Sequence, residues 1–367
     1  MAECAKQKRA LIIDGESKGR LKPYRVKVRF QTAFRSSMRC SHPWLAQFLL
    51  KEGWVMKLFH LAAVAVSAVL LSACNGVAML HDALTAPDLM KVENWQAVGT
   101  TYPNFAYGNQ PAHKFDLYVP KNKTRAHYGL VVYLHAGGFT TGDKADDAKI
   151  LQWFASKGYV AAGINYTLKD KANPAASVKS MSDEIKTAIP QVVAKARELG
   201  YPIDKMAIGG GSAGHGLAAI YAYRDGRTAP VPIAFSFGMV GPMSFEVDNA
   251  KGGADAAKSA EFLSVLSGEK ITAEMMTNGV YKEIVKPIEA YRWVNAGSPP
   301  ALMAFGAKDF IMPFSTKPMT NALQANNVPH DVFIFEKSGH TLLGEPQKRA
   351  EYMQKLNEYL ATYLPVK

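Results

Sequence analysis

The stretch Ile208-Gly209-Gly210-Gly211-Ser212-Ala213-Gly214-His215-Gly216 constrains this chain more than any other. It follows a short apolar run, Lys205 to Ile208, and leads into a run of helical character, Leu217 to Tyr223. Strand, Gly-x-Ser-x-Gly turn and helix, in that order, hold a serine at the apex of a sharp and strained bend, the nucleophile-elbow arrangement. The residues two before and two after the apex must then lack bulk, and Gly210 and Gly214 occupy those places. The turn lifts the Ser212 hydroxyl above the sheet edge and aims the first N–H groups of the helix, that of Ala213 foremost, at the same spot. A lone Gly-x-Ser-x-Gly is weak evidence, so its surroundings decide its meaning.

A reactive serine needs a base, a group to orient the base, and donors for an oxyanion. Upstream, Tyr128 to Leu134 reads as a buried strand and runs into His135-Ala136-Gly137-Gly138-Phe139, an HGGG-type signature with Ala136 in place of its first glycine. The N–H groups of Gly137 and Gly138 are the candidate donors there, beside that of Ala213. Downstream, the apolar strand Pro300 to Phe305 ends in Gly306-Ala307-Lys308-Asp309, and the strand Asp331 to Phe335 ends in Glu336-Lys337-Ser338-Gly339-His340. Of the histidines, only His340 follows the C-terminal end of a late strand, where reactive groups gather in open α/β sheets. His135 reads as a loop-shaping residue and His215 as a packing or capping one. His113 and His127 flank strands at the end away from the serine, if those strands run parallel to the rest. Asp309, Asp331 and Glu336 compete to orient the base; Asp331 begins its strand and faces the wrong end, while Glu336 shares a loop with His340.

The formal charge of +12 suggests a nucleic acid or an acidic surface as partner. Residues 1–55 alone hold 12 Lys and Arg against 4 Asp and Glu, whereas Cys74 onward holds 30 against 27. The basic character belongs to the leader, and no nucleic-acid partner is expected of the body. Met56 to His60 followed by Leu61 to Leu71 is a short basic start and an apolar core, too short to span a bilayer, which needs about 20 residues. It closes in Leu71-Ser72-Ala73-Cys74, which matches the lipobox of bacterial lipoproteins and marks Cys74 for lipidation. Cys4 and Cys40 are the other cysteines, so no disulfide is expected after Cys74. The expected organisation is a non-native extension over 1–55, a signal peptide over 56–73, a lipidated tether over 74–110, and one domain over 111–367. The product would be exported and membrane-anchored through its lipid, in a bacterial periplasm or outer membrane.

Within the domain, Lys114 to Val119 alternates apolar and polar residues up to Pro120, a half-buried strand. Tyr159 to Ile164 and Val231 to Phe237 are further strands. Val178 to Leu199 has helical spacing, with a bend expected at Pro190, and Ala350 to Tyr363 is an amphipathic helix. Residues 243–297 carry helical patterns and no strand, a helical insertion. Alternating strands and helices imply an α/β fold with a mostly parallel sheet covered on both faces. No His/Cys cluster suggests a metal, and Gly209-Gly210-Gly211 lacks the lysine of a phosphate-binding loop, so no cofactor is expected.

Over most of 110–365 the chain resembles the α/β-hydrolase family, and within it bacterial esterases of the hormone-sensitive-lipase and feruloyl-esterase-like groups. The resemblance rests on His135-Ala136-Gly137-Gly138-Phe139, Gly142-Asp143-Lys144, Asn165-Tyr166, Gly210 to Gly214, Asp309 and Gly339-His340. His215-Gly216 inverts the Gly-His that often follows the elbow in these relatives. The family pattern favours Asp309 over Glu336 as the orienting acid, and implies a triad of Ser212, Asp309 and His340. It further implies hydrolysis of carboxylic esters with short or aromatic acyl groups, on carbohydrates or similar polar alcohols. A peptidase of the same fold and a non-catalytic binding lipoprotein are the alternatives.

Overall fold

The computed structural model describes residues 88–246 and 254–366. The extension 1–55, the signal peptide 56–73 and Cys74 lie outside the described residues.

In chain order the elements are α1 (Trp95–Val98), β1 (Gly99–Ala106), β2 (Lys114–Pro120), β3 (Tyr128–Leu134), α2 (Ala148–Ser156), β4 (Val160–Ile164) and α3 (Val178–Glu198). Then come β5 (Ile203–Gly211), α4 (Ala213–Ile220), β6 (Ile233–Met239), α5 (Ala254–Ser267), α6 (Ala273–Thr277) and α7 (Tyr281–Val285). The chain ends in β7 (Ala301–Gly306), α8 (Met312–Ala325), β8 (His330–Phe335) and α9 (Pro346–Tyr363). The strands form one eight-stranded sheet in the order β1-β2-β4-β3-β5-β6-β7-β8. From β4 to β8 all neighbours are parallel, and β1 and β2 are antiparallel additions at one edge.

The period-2 geometry of strands splits the core into two layers. Leu130, Val132 and Leu134 of β3 join Met206 and Ile208 of β5 and Met303 and Phe305 of β7 in one cluster, beneath α3 and α4. Val131, Ala207, Phe235, Phe237, Leu302 and Ala304 point the other way, into a cluster closed by Trp153 and Phe154 of α2 and Tyr352, Leu356 and Leu360 of α9. Both faces being covered, the central strands are apolar throughout rather than alternating.

That two-sided cover corrects the reading of β2 as half-buried: Phe115 to Pro120 are all buried. The polar residue that suggested alternation, Asp116, is itself buried and faces Lys144 Nζ at 3.2 Å, each side chain only 6% exposed. Lys144 also donates to Asn104 Oδ1 at 2.9 Å, and the Asn104 N–H donates to Asp116 Oδ1 at 2.7 Å. Asn104 sits at φ 62° where the β1–β2 register shifts, and this bulge turns its side chain and N–H toward the pair. β1 also corrects the tether: Gly99–Ala106 is a full edge strand, so the folded body begins before residue 111. The antiparallel course of β2 corrects His113 as well. Phe115 pairs with Ile164 at the C-terminal end of β4, so His113 lies at the same end as the serine, 3.4 Å from Glu184 and stacked on Tyr107.

α3 runs unbroken through Pro190, and the described part of 243–297 is helical, with short 3₁₀ turns after α7.

Removing one partner of a buried ion pair leaves the other charge uncompensated. Lys144→Ala is therefore expected to lower the unfolding free energy by about 3–5 kcal/mol in urea titration. A loss below about 1 kcal/mol would show that water or Asn104 already satisfies Asp116.

Candidate active site

Ser212 stands between β5 and α4 at φ 49° and ψ −118°, a strained backbone for a residue with a Cβ. Its N–H donates to Met239 O at 2.8 Å, tying the bend to the end of β6. The two flanking glycines have no alternative. A Cβ on Gly214 would lie 2.0 Å from Leu134 O, and one on Gly210 would lie 2.5 Å from the Gly214 carbonyl carbon.

The structure brings Ser212, His340 and Asp309 into one hydrogen-bonded chain. Ser212 Oγ lies 2.7 Å from His340 Nε2, and His340 Nδ1 lies 2.9 Å from Asp309 Oδ2. The Asp309 side chain is fully buried and the His340 side chain is 32% exposed. With its proton on Nδ1 toward Asp309, the imidazole keeps a lone pair on Nε2 to accept the Ser212 proton. The Ile311 N–H donates to Asp309 Oδ1 at 3.0 Å, so both carboxylate oxygens are engaged. The acid and histidine loops brace each other: the Lys308 N–H donates to Ser338 O at 3.0 Å, and the Ser338 hydroxyl donates to Glu345 Oε2 at 2.7 Å. Glu336 is exposed in its loop, and Asp331 Oδ2 accepts from the Tyr359 hydroxyl at 2.9 Å; neither joins the chain.

The candidate oxyanion loop follows β3. Gly138 adopts φ +59°, with open space where a Cβ would point, and its N–H meets no acceptor among the described residues. The Gly137 carbonyl closes the loop, accepting from the Thr140 and Thr141 N–H groups at 3.1 and 3.0 Å. The Ala213 N–H opens α4, where a helix's first N–H groups lack intrahelical partners. Ala136 is exposed.

The sequence names the residues that hold this loop from behind but gives them no role. The Tyr166 hydroxyl donates to His135 O at 2.8 Å, and its ring stacks on the His135 ring at 4.3 Å. Burial lowers the His135 pKa, disfavouring the charged ring. Asn165 Oδ1 accepts from the Lys144 N–H at 2.7 Å, and Asn165 Nδ2 donates to Asp143 Oδ2 at 2.6 Å. The quoted pairs Asp143-Lys144 and Asn165-Tyr166 are thus the brackets of the loop.

His215 packs rather than reacts. It is buried against Phe305, its Nδ1 accepts from the Gly241 N–H at 3.1 Å, and burial pulls its pKa down to about 3. The segment after β6 is pinned in the same manner: the Phe245 N–H donates to Glu289 Oε1 at 2.8 Å, and Glu289 is fully buried. Among the described residues there is no group of three or more His, Cys, Asp and Glu side chains placed to hold a metal. No helix among them is long and apolar enough to cross a membrane.

A mostly parallel eight-stranded sheet, with an elbow serine after β5 and an acid and a histidine after β7 and β8, defines an α/β-hydrolase. The BD-FAE family model matches residues 115–323, and the chain belongs to that family. It is 25% identical over 251 residues to a probable isoprenylcysteine alpha-carbonyl methylesterase of Arabidopsis thaliana. That match takes in 65% of this chain and 50% of the relative, so the chain spans about half the relative's length. Among solved structures, esterase B of Lactobacillus rhamnosis superposes with a TM-score of 0.56 at 18% identity, covering 82% of this chain and 94% of that one. A thermophilic esterase of Thermogutta terrifontis superposes with a TM-score of 0.56 at 22% identity, covering 70% of this chain and 91% of its own. These structural likenesses show the shared fold.

One group near the loop is held against its preference. Asp147, just before α2, has an Oδ2 with no hydrogen-bond partner among the described residues. Burial pushes its carboxyl up to about 7, with Asp146 and Asp143 adding to the rise. A carboxyl whose folded pKa lies above its unfolded 3.8 costs nothing below that value and costs increasingly as pH rises toward the folded one. Asp147→Asn is expected to raise the thermal midpoint at about pH 8 and leave it nearly unchanged at about pH 4, with a ceiling of about 4 kcal/mol. An equal change at both pH values would show that the carboxyl ionises freely in the folded state.

Proposed function

We propose that this chain is a serine esterase, a carboxylic ester hydrolase working through an acyl-enzyme on Ser212. The observation that carries the reading is the Ser212–His340–Asp309 chain, its two links at 2.7 and 2.9 Å, at the apex of a strained elbow. His340 takes the Ser212 proton as Oγ attacks the ester carbonyl, and Asp309 holds the imidazolium that forms. The developing O⁻ is received by the N–H groups of Gly137, Gly138 and Ala213, donors in place before the charge appears. His340 then hands its proton to the leaving alkoxide. In the second half-reaction it draws a proton from water, which attacks the acyl-enzyme and frees Ser212.

The substrate we infer is an ester of a short or aromatic acyl group on a sugar or similar polar alcohol. Relatives supply support: the Thermogutta esterase has been captured with propionate and with butyrate, and the Lactobacillus esterase with a C4-C4 tributyrin phosphonate. The Arabidopsis relative is named for a methyl ester. The composition of Ala250 to Lys258, lysines and small residues, is not that of an apolar lid over lipid chains.

We further propose that lipid on Cys74 anchors the enzyme to a membrane after export, two or more acyl chains giving lasting attachment where one does not. Expressed from Met56 in a bacterium, the protein should fractionate with membranes and Cys74→Ala should release it; an unmodified Cys74 in the intact mass would remove the anchor.

The mechanism is tested with p-nitrophenyl esters and a fluorophosphonate probe. Ser212→Ala and His340→Ala are each expected to lower kcat by roughly 10⁴ to 10⁶, and Asp309→Asn by a similar or smaller factor. The probe should label wild type and not Ser212→Ala, and rates should peak between acetyl and butyryl. Labelling that persists without Ser212 would move the nucleophile elsewhere. A maximum at long acyl chains, or amides cleaved faster than esters, would make the enzyme a lipase or a peptidase.

A further inference from the structure

Beside the triad lies an aromatic ring that the chemistry above does not use. Phe310 follows Asp309 directly and is 73% exposed, although a phenylalanine gains most by burial. Its ring stacks on the His340 imidazole, centroids 5.6 Å apart and planes 29° apart. One helical turn later, at the start of α8, Phe314 is 50% exposed.

The position of Phe310 relative to the reacting atoms follows from proton transfer. His340 Nε2 must come within about 2.6–3.2 Å of the leaving alcohol oxygen to protonate it. The carbonyl oxygen must instead face Gly138 and Ala213. The carbon skeleton of the alcohol therefore emerges on the His340 side of Ser212, next to the ring stacked on that histidine, and the acyl chain extends elsewhere. A solvent-facing aromatic ring offers stacking contact to another flat, weakly hydrated surface. Resting on the esterase reading, we propose that Phe310 is the platform of a leaving-group subsite selecting esters whose alcohol presents a flat ring, an aryl group or the apolar face of a sugar.

The test compares esters that share one acyl group and differ in the alcohol: ethyl acetate, benzyl acetate and an acetylated xylose. Ethyl and benzyl alcohols are similar leaving groups, so their ratio isolates the contact. Phe310→Ala is expected to lower kcat/KM roughly tenfold for benzyl acetate, through KM, and to change ethyl acetate by less than about twofold. Phe310→Tyr should restore the ratio. A loss shared by acetylated xylose extends the platform to sugars; a loss confined to benzyl acetate limits it to aryl alcohols. An equal loss on all three esters would mean that Phe310 only steadies His340 and would overturn the proposal, as would a loss that follows acyl length in an ethyl ester series. Binding of benzyl acetate to Ser212→Ala, measured by calorimetry, separates the two readings. Binding that weakens when Phe310→Ala is added, alongside the selective kinetic loss, agrees with the subsite, and binding that does not change removes it.

Discussion

Everything at this site depends on one strained bend. A serine held at φ 49° costs on the order of 1–3 kcal/mol, and it persists only where its surroundings over-determine it. Here Leu134 O leaves no room for a side chain at Gly214, and Met239 O takes the Ser212 N–H at 2.8 Å. The bend is thereby clamped between β3 and β6, the neighbours of β5 on either side. The strands that fill the two core layers are the same ones whose ends fix the serine, so the packing of the sheet and the placement of the reactive group are one problem.

The remaining groups are delivered by loops that the fold braces in pairs. Asp309 and His340 leave adjacent parallel strands, β7 and β8, and their loops touch closely enough that a Cβ on Gly306 would lie 2.3 Å from Gly339 O. The loop after β3 is held from behind by Tyr166, Asn165 and the buried Lys144–Asp116 pair, which reaches the edge strand through Asn104. A buried ion pair adds little net stability over an apolar pair, and its use here is geometric. It fixes where the turn after the loop sits against β1 and β2. On the proposed mechanism the loop's N–H groups meet a charge only as it forms, and that needs rigidity beforehand.

The parts legible in the sequence were those where local sterics or strand-end position dictate residue type. Gly210 and Gly214 had to be glycine, the loop at Gly137 and Gly138 needs left-handed backbone, and Asp309 and His340 each follow an apolar strand. The fold class followed from the same strand–helix alternation. What stayed hidden was carried by pairings across long stretches of chain. Nothing local tells Asp116 that Lys144 will neutralise it, so its polarity suggested a solvent-facing position that does not exist. Nothing around Gly99 to Ala106 announces a strand, because Pro103 and Asn104 form a bulge within it and β2 supplies the register. Which end His113 occupies depends on the direction of β2, and that is set by its partner strand, not by its own residues.

The central claim is that Ser212 becomes acylated in turnover. Aryl esters release their alcohol quickly and leave deacylation as the slow step, so the intermediate accumulates. Wild-type protein mixed with excess p-nitrophenyl acetate, quenched in acid and digested, should yield an acetylated peptide whose fragment masses place the acetyl group on Ser212. An acetyl group on any other residue, or none at saturating substrate while p-nitrophenol is still being released, would contradict the account.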